Sequence, residues 1–397
     1  MKILVANLGS TSLKWRLFDF SDGAEKLLHK GGFERVTDHD AAIGDCLKAL
    51  LDSGCVASES EIAAVGFKTV IAQRVNGCVR LDEASVKAME AYNALAPAHN
   101  PPYISGIRLF AKRMPGTPLV GLFETAFYQW IPDAAQRYAV PDAWHEAGVR
   151  RWGFHGASHK FVAERSAELL GRADVAERAR RLYVDSGASP VTGPDLRVIS
   201  CHLGGSSSVT GIRNGVAIGN SLGMSPQSGL PHNNRVGDLD SFAVPFALRH
   251  LGLSLDEVEA QLCRESGLKG LSGLSNDIRD IDAAAAKGDA RARRALDFFV
   301  HEARRWIGGY LLELNGLDAL VFTAGIGENR TELRAAICAG LDGFGIEVDP
   351  VANSEVRARE GVVSTGASRV KVFVIPANEE LVVAREVQRH LQAAAGG

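Results

Sequence analysis

The chain has few cysteines for its 397 residues, and none of Cys46, Cys55, Cys78, Cys201, Cys263 and Cys338 forms a C-x-x-C pair, so neither a zinc site nor a disulfide scaffold is indicated. Reduced thiols of this kind are expected in a cytoplasmic protein. An excess of one charge is also missing. Forty-four Lys and Arg against 47 Asp and Glu leave a formal charge of −3, which offers no broad basic surface and argues against nucleic acid as the main partner. No apolar run approaches the roughly 20 residues that span a bilayer. The run at 3–6 stops at Asn7, without the long core of a signal peptide, so no membrane partner is expected. What remains is 46% hydrophobic and 23% charged, ordinary for a globular enzyme, and long enough for two domains.

The opening strand and turn, Lys2-Ile-Leu-Val-Ala-Asn7-Leu-Gly9-Ser10-Thr11-Ser12-Leu-Lys14, has a weaker echo in Val198-Ile-Ser-Cys-His202-Leu-Gly204-Gly205-Ser206-Ser207-Ser208. Each copy passes from an apolar strand through one polar residue and Leu-Gly into a hydroxyl-rich turn and a second strand. Such turns leave backbone N–H groups and Ser hydroxyls facing outward, which suits phosphate oxygens. Two of them predict a duplicated fold that holds a polyphosphate between its halves, whereas one alone would read as an ordinary hairpin turn.

Strands and helices interleave as an α/β protein requires. Strands are expected at 3–6, 13–20, 62–70, 118–123, 196–203, 207–212, 216–218 and 317–323, and helices at 41–53, 82–94 and from Thr331. Leu95-Ala-Pro97-Ala-His99-Asn100-Pro-Pro102 should be irregular, since consecutive prolines block helix and sheet. Residues 283–286 read as helix and 393–397 as a frayed tail.

Three short strings could carry chemistry. Gly325-x-Gly327 follows a strand and precedes a helix, where backbone N–H groups favour an anion, though it is neither a P-loop nor a dinucleotide fingerprint. In Arg150-Arg151-Trp-Gly153-Phe154-His155-Gly156-Ala-Ser158-His159 the two histidines lack the Glu of H-E-x-x-H, and the glycines weaken a helix. His155 reads instead as a loop histidine whose N–H reaches a charged substrate, with packing or capping as the alternative. Arg235, beside Gly237, can aim a guanidinium fork at phosphate, or simply lie in solvated surface.

Taken together, and in order, these strings resemble the acetate kinase family, within the actin-like, sugar-kinase and Hsp70-like superfamily. Asn7-x-Gly-Ser10-x-Ser12-Leu-Lys14, Leu95-Ala-Pro-x-His99-Asn-Pro, Arg151-x-Gly-Phe-His155-Gly-x-Ser-His159, His202-Leu-Gly, Arg235-x-Gly-Asp238, Phe322-Thr-Ala-Gly-Ile-Gly-Glu-Asn329 and Asn378-Glu379-Glu380-Leu carry the resemblance across almost the whole chain. It implies an α/β fold of two duplicated RNase H-like, actin-like ATPase domains with a nucleotide cleft between them. The N-terminal domain would comprise 1–127 plus 381–397, and the nucleotide-binding and dimerisation domain 128–380. The implied reaction is reversible transfer of the ATP γ-phosphoryl group to acetate or a related short-chain carboxylate, in a homodimer. The acceptor is already ionised at neutral pH, so it needs no general base, and the obstacle is charge repulsion.

By the same resemblance Arg235, His155 and Glu124 are the catalytic candidates, and Lys68, Val70, Ala98, His99, Phe154 and Pro226 the acyl-binding ones. Asn7, Ser10, Ser12, Lys14, His202, Gly204 and Gly205 would meet the nucleotide phosphates. Asp277, Ile278, Arg279, Gly325, Ile326, Gly327 and Asn329 would hold adenosine. Mg²⁺ would lie by Glu379 and Asn7.

The chain departs from the family at the acyl and phosphoryl end. Lys68 stands in Gly66-Phe67-Lys68-Thr69-Val70 where the family has arginine, and Glu124 replaces its Asp in Phe-Asp-Thr-Ala-Phe-His. Gly205 replaces an Asn of the nucleotide loop, while Asn233-Asn234 replaces Gly-Thr before Arg235. Ala98 stands where leucine is usual, which predicts that propionate or butyrate competes with acetate. Besides an acetate or propionate/butyrate-type kinase, two functions stay open: a kinase for a hydroxyl acceptor with Glu124 as base, and a nucleotide-binding homologue with weak catalysis.

Overall fold

The structure is a computed structural model and describes residues 1–97 and 99–396. Two six-stranded sheets organise it. The first is built from β1 (Lys2–Gly9), β2 (Ser12–Asp19), β3 (Lys26–Glu34), β4 (Ile62–Thr69), β5 (Cys78–Arg80) and β6 (Leu119–Phe123), in the order β3-β2-β1-β4-β6-β5. The second is built from β7 (Arg197–His202), β8 (Ser208–Arg213), β9 (Val216–Asn220), β10 (Ala319–Thr323), β11 (Gly361–Val362) and β12 (Lys371–Val374), in the order β9-β8-β7-β10-β12-β11. The two orders are the same plan. In each, a three-stranded antiparallel meander adds two parallel strands beside its first strand and closes with a short antiparallel edge.

The central strands are apolar runs because helices cover both of their faces. Gly66 and Phe67 are adjacent in β4 and so face opposite sides. Phe67 meets Phe110 of the helix Asn100–Arg113 edge-on at 5.6 Å, whereas a Cβ on Gly66 would lie 3.0 Å from Val383 and Val387 of the helix Glu379–Gly396. The chain therefore returns at its end to pack on the first sheet. In the second sheet Leu320 and Phe322 pack with Phe299 and Ile307 of the helix Ala290–Glu313, and Val321 packs with Val162 and Val175 of the helices Gly156–Leu169 and Ala173–Asp185. Lys160 and Glu386, each 1% exposed, join the helices Gly156–Leu169 and Glu379–Gly396 through a 2.7 Å ion pair.

Three local expectations are corrected. Pro101 and Pro102 do not keep the chain irregular but occupy the first turn of the helix Asn100–Arg113, where proline's missing N–H is no loss. The segment after β10 contains no loop, since a short helix, Ala324–Asn329, begins directly at the strand's end. The alanine-rich terminus is helical to Gly396, as its propensity favours. Ala98 and Gly397 lie outside the described residues. Among those described, no helix is long and apolar enough to cross a membrane, and all six cysteines are unpaired.

Arg334 is the largest of the fully buried side chains. Its guanidinium donates to the carbonyls of Gly327, Glu328, Asn353 and Val356 and to Asn353 Oδ1, all within 2.9 Å. It thereby carries the end of the helix Ala324–Asn329. A lysine has a single donor head in place of this fork. Arg334→Lys should cost about 3 kcal/mol, the scale of losing two charge-assisted hydrogen bonds, read as a lower urea midpoint with an unchanged slope.

Candidate functional site

The turns that echo each other in sequence face each other across a cleft. Asn7, Gly9 and Ser12 from the β1–β2 turn and His202, Gly204 and Ser206 from the β7–β8 turn line one chamber of about 500 Å³. A second chamber, of about 620 Å³, opens beyond it, and Gly204, Gly205 and Gly325 border both.

His155 reaches the first chamber from the N-cap of the helix Gly156–Leu169, in the left-handed region at φ +59°. Such backbone costs a non-glycine residue of order 1 kcal/mol and persists only where its surroundings enforce it. Here Gly156 N–H donates to Glu124 O at 2.9 Å, so closely that a Cβ on Gly156 would lie only 2.3 Å from that oxygen. The loop is thus clamped to the end of β6. The His155 ring stacks on His202 with centroids 4.1 Å apart. Burial holds both imidazoles below the ordinary range, His202 at about 4, so the pair is neutral at physiological pH.

Lys68, on β4, lies between two carboxylates, 2.5 Å from Glu379 Oε2 and 3.2 Å from Glu124 Oε1. Burial alone would lower the ammonium's pKa, but Glu379 and then Glu124 outweigh it and keep Lys68 charged. The chain's two departures at this end, Lys68 and Glu124, therefore touch each other. Burial raises Glu124, whose Oε2 is buried without a partner. Arg235 stands in a different state. Its hydrogen bond goes to the Pro226 carbonyl at 2.8 Å, no carboxylate pairs with it, and burial lowers it only to about 10. It is the cation of the chamber whose charge remains uncompensated among the described residues.

Val70, Phe154 and Pro226 provide apolar wall beside these charges, and His99 and Lys14 complete the chamber. Asn100 fixes the His99 segment by donating to the carbonyls of Ile71 and Met89. Ala98 was expected in this wall and lies outside the described residues. Asn7 accepts from Tyr103 Oη and donates to Glu380, each at 3.0 Å. Among the described residues, no cluster of three or more His, Cys, Asp or Glu could hold a metal.

The second chamber collects Asp277, Ile278, Arg279, Ile326 and Asn329 with Gly325. Asp277 caps the helix Ile278–Ala286, and its bonds to Arg279 hold it at about 2. Two expected residues line neither chamber. Ser10 is exposed at the tip of its turn, and Gly327 is buried. The N–H groups of Ile326 and Gly327 both donate to Leu203 O, so at these two positions the expected anion-facing amides are already engaged.

Several lining residues escaped the sequence reading. Tyr103 follows the proline pair, Asn276 precedes Asp277 and Arg330 follows Asn329, while Ser206, Ala324 and Asn233 sit inside stretches already quoted without having been assigned to the site. For Asn233 a signal did exist. A Cβ on Gly205 would lie 3.2 Å from Asn233 Nδ2, so the carboxamide gained at 233 fills the space of the one missing at 205. Asn233 Oδ1 is buried without a partner.

A family model described as the acetokinase family matches residues 24–385. The chain is 41% identical to an acetate kinase of Moorella thermoacetica over 99% of this chain and 100% of that protein. It is 40% identical to an acetate kinase of Methanosarcina thermophila, over 98% and 96% of the two. Among solved structures, the acetate kinase of Porphyromonas gingivalis matches with a TM-score of 0.85 at 32% identity, over 98% of this chain and 99% of that one. A propionate kinase from Francisella tularensis matches at 0.82 and 32%, over 97% and 98%.

The exchange between positions 205 and 233 can be tested by stability alone. Gly205→Asn should cost about 1–3 kcal/mol by overpacking against Asn233, and adding Asn233→Gly should recover most of it. Thermal unfolding of the two single variants and the double variant would show whether the two sites share one space.

Proposed function

The chain belongs to the acetokinase family of phosphotransferases with a carboxyl acceptor, and on that premise we propose how its cleft transfers a phosphoryl group between ATP and acetate. One observation carries the reading: a half-buried guanidinium with no carboxylate partner among the described residues, Arg235, in a small chamber joined to a second chamber across three glycines. The second chamber suits adenosine and the glycine border suits its phosphates. The first has room for a short acid with its alkyl end on Val70, Phe154 and Pro226.

Acetate attacks as the anion, with no proton to remove, so the work of the site is electrostatic and positional. Arg235 meets the charge that develops on the transferring phosphoryl oxygens, and His155 adds an uncharged N–H donor beside it. Such donors act most strongly where water is excluded and no reorganisation is needed. Lys68 is the cation on the acceptor side. Glu124 sets its position, so the carboxylate acts on another side chain rather than as a base. The Lys68–Glu124 pair keeps both charges that the family pattern places at these positions, but it gives up arginine's bidentate fork.

For a divalent metal the donor set fits in a limited way. Glu379 Oε1 is free of protein partners among the described residues and faces the chamber that Asn7 also lines. Mg²⁺ takes one or two carboxylates and fills its remaining positions with phosphate oxygens and water, and it would neutralise phosphate charge there. Glu379 would hold it directly. Asn7 would stand beside it.

We further propose a homodimer formed through the stretch that carries Leu239, Phe242, Phe246, Leu251 and Leu255. All five are exposed, Phe242 at 78%, with Phe246 and Leu255 on the helices Ala243–His250 and Leu255–Arg264 and the other three in the segments flanking the first of them. A cluster of this size is unusual on a monomer's surface. Phe242→Glu should yield a monomer in sedimentation analysis.

Acyl-phosphate formation, trapped by hydroxylamine, tests the activity across formate, acetate, propionate and butyrate with ATP. Acetate should give hydroxamate; ATP binding by calorimetry without hydroxamate from any acid would leave a binding protein and sink the kinase reading. Arg235→Ala should lower kcat by about 10²-fold or more while changing ATP affinity little, since its contact strengthens in the transition state.

A further inference from the structure

A chain of hydrogen bonds runs from His155 away from the cleft into the second half of the molecule. His155 Nδ1 lies 2.8 Å from Ser208 Oγ, the same oxygen lies 2.8 Å from His159 Nε2, and His159 Nδ1 lies 2.8 Å from Ser200 Oγ. Ser200, Ser208 and His159 are all 0% exposed. β7 supplies Ser200, β8 supplies Ser208, and the helix Gly156–Leu169 supplies His159 one turn beyond His155. Closed off from bulk solvent, its members turn to one another for partners.

Each hydroxyl has one hydrogen to donate and each neutral imidazole one N–H. The chain can therefore run in either direction, and a third arrangement, in which both imidazoles donate to Ser208 Oγ, leaves the Ser208 hydrogen without an acceptor. If His155 Nδ1–H donates to Ser208, then Ser208 donates to His159 Nε2 and His159 Nδ1–H donates to Ser200. The Ser200 hydrogen is then left over, because His159 is the side-chain partner of Ser200 and no second acceptor lies within reach among the described residues. In the opposite direction Ser200 O–H donates to His159 Nδ1, His159 Nε2–H donates to Ser208 Oγ, and Ser208 O–H donates to His155 Nδ1. Every donor within the chain then has an acceptor, and the His155 Nε2–H is left to face the chamber. A buried donor left unmade costs more than a made bond contributes, so the second direction is favoured.

We infer that Ser200, His159 and Ser208 fix His155 as its Nε2–H tautomer, so that the ring presents an N–H, and not a lone pair, to the anionic group in the cleft. The inference rests on the phosphoryl-transfer reading for what that N–H meets, though not for the tautomer itself. With Nδ1 engaged, Nε2 is the nitrogen left for the chamber that His155 lines. Stacking on His202 at 4.1 Å disfavours a proton on both rings, and burial lowers His155 and His159 alike, which keeps the chain in its neutral form. Ser208, His159 and Ser200 are positioning residues and none of them touches the cleft chamber.

Long-range ¹⁵N–¹H correlation spectra of the histidine-labelled, full-length protein decide the tautomer, with His155→Gln to assign the ring. The wild type should show the Nε2–H pattern at His155. Ser208→Ala should mix the two tautomers and lower kcat by about tenfold or more, up to the scale of a lost oriented donor, with KM for ATP and for acetate held within about twofold. Ser208→Thr, which keeps the hydroxyl, should restore both the spectrum and kcat. An Nδ1–H pattern in the wild type, or wild-type kcat in a folded Ser208→Ala variant, overturns the inference. Should Ser208→Ala fail to fold, the wild-type spectrum still decides. Failure of the wild type to form acyl phosphate would remove the kinase reading while leaving the tautomer result standing.

Discussion

Bringing one anion against another inside a water-poor cleft requires positive charge that has not already been neutralised by the protein's own acids. Two half-buried cations stand in the first chamber and they meet this demand differently. Lys68 is held between Glu379 and Glu124, while Arg235 donates to a carbonyl, which carries no full charge. A guanidinium keeps its proton even when burial lowers it to about 10, whereas an unpaired buried ammonium tends to lose its own. The distribution is therefore chemically ordered: the group that can bear isolation is isolated, and the group that cannot is paired. The neutral histidines fit the same constraint, since they add donors without adding charge that would repel Arg235 or Lys68.

The sheets supply the geometry for this by repeating one plan. Asn7 pairs across its hairpin with Lys14, and His202 pairs with Ser208 at the corresponding place in the second sheet. Equivalent scaffold positions thus carry four different side chains, of which Asn7, Lys14 and His202 line the first chamber. Asn7 is tied to Tyr103 and Glu380 within the first half. His202 is tied instead to Ser158 and to the ring of His155. Duplication gives a symmetrical frame, and the polar residue after each apolar strand makes its two sides chemically unlike.

Much of this was legible in the chain. Central strands such as β1, β4 and β10 read as continuous apolar runs because both faces are covered, and the two Leu-Gly turns announced their own equivalence. Among residues inside contiguous motifs, Asn7, Arg235 and Glu379 line one chamber, whereas Ser10 and Gly327 line neither. The edge strands β3 and β5 did not show themselves, since a half-exposed strand has neither a long apolar run nor a turn signal. Pro101 and Pro102 misled because proline is excluded from a helix interior but suits its first turn. Tyr103 was missed because what places it is a contact with the distant Asn7, and spacing along the chain carries no trace of it.

The departures from the family pattern are intelligible only in three dimensions. Taken one at a time, Lys68 loses a fork, Glu124 moves a carboxylate outward, Gly205 removes a carboxamide and Asn233 adds one. In space they form two pairs, Lys68 with Glu124 at 3.2 Å and Gly205 with Asn233 at 3.2 Å from the position of a Cβ. The first pair keeps both charges and in the second one change offsets the other in volume, so charge balance and packing survive. What does not survive is directionality. A lysine head can rotate where an arginine fork cannot, and a carboxamide brought in from position 233 approaches the glycine border from a new side. The site keeps its electrostatic sum while changing the angles from which donors arrive, and angles are what in-line transfer is most sensitive to. On the proposed roles of these residues, the replacements would act on the rate of transfer more than on the binding of either substrate.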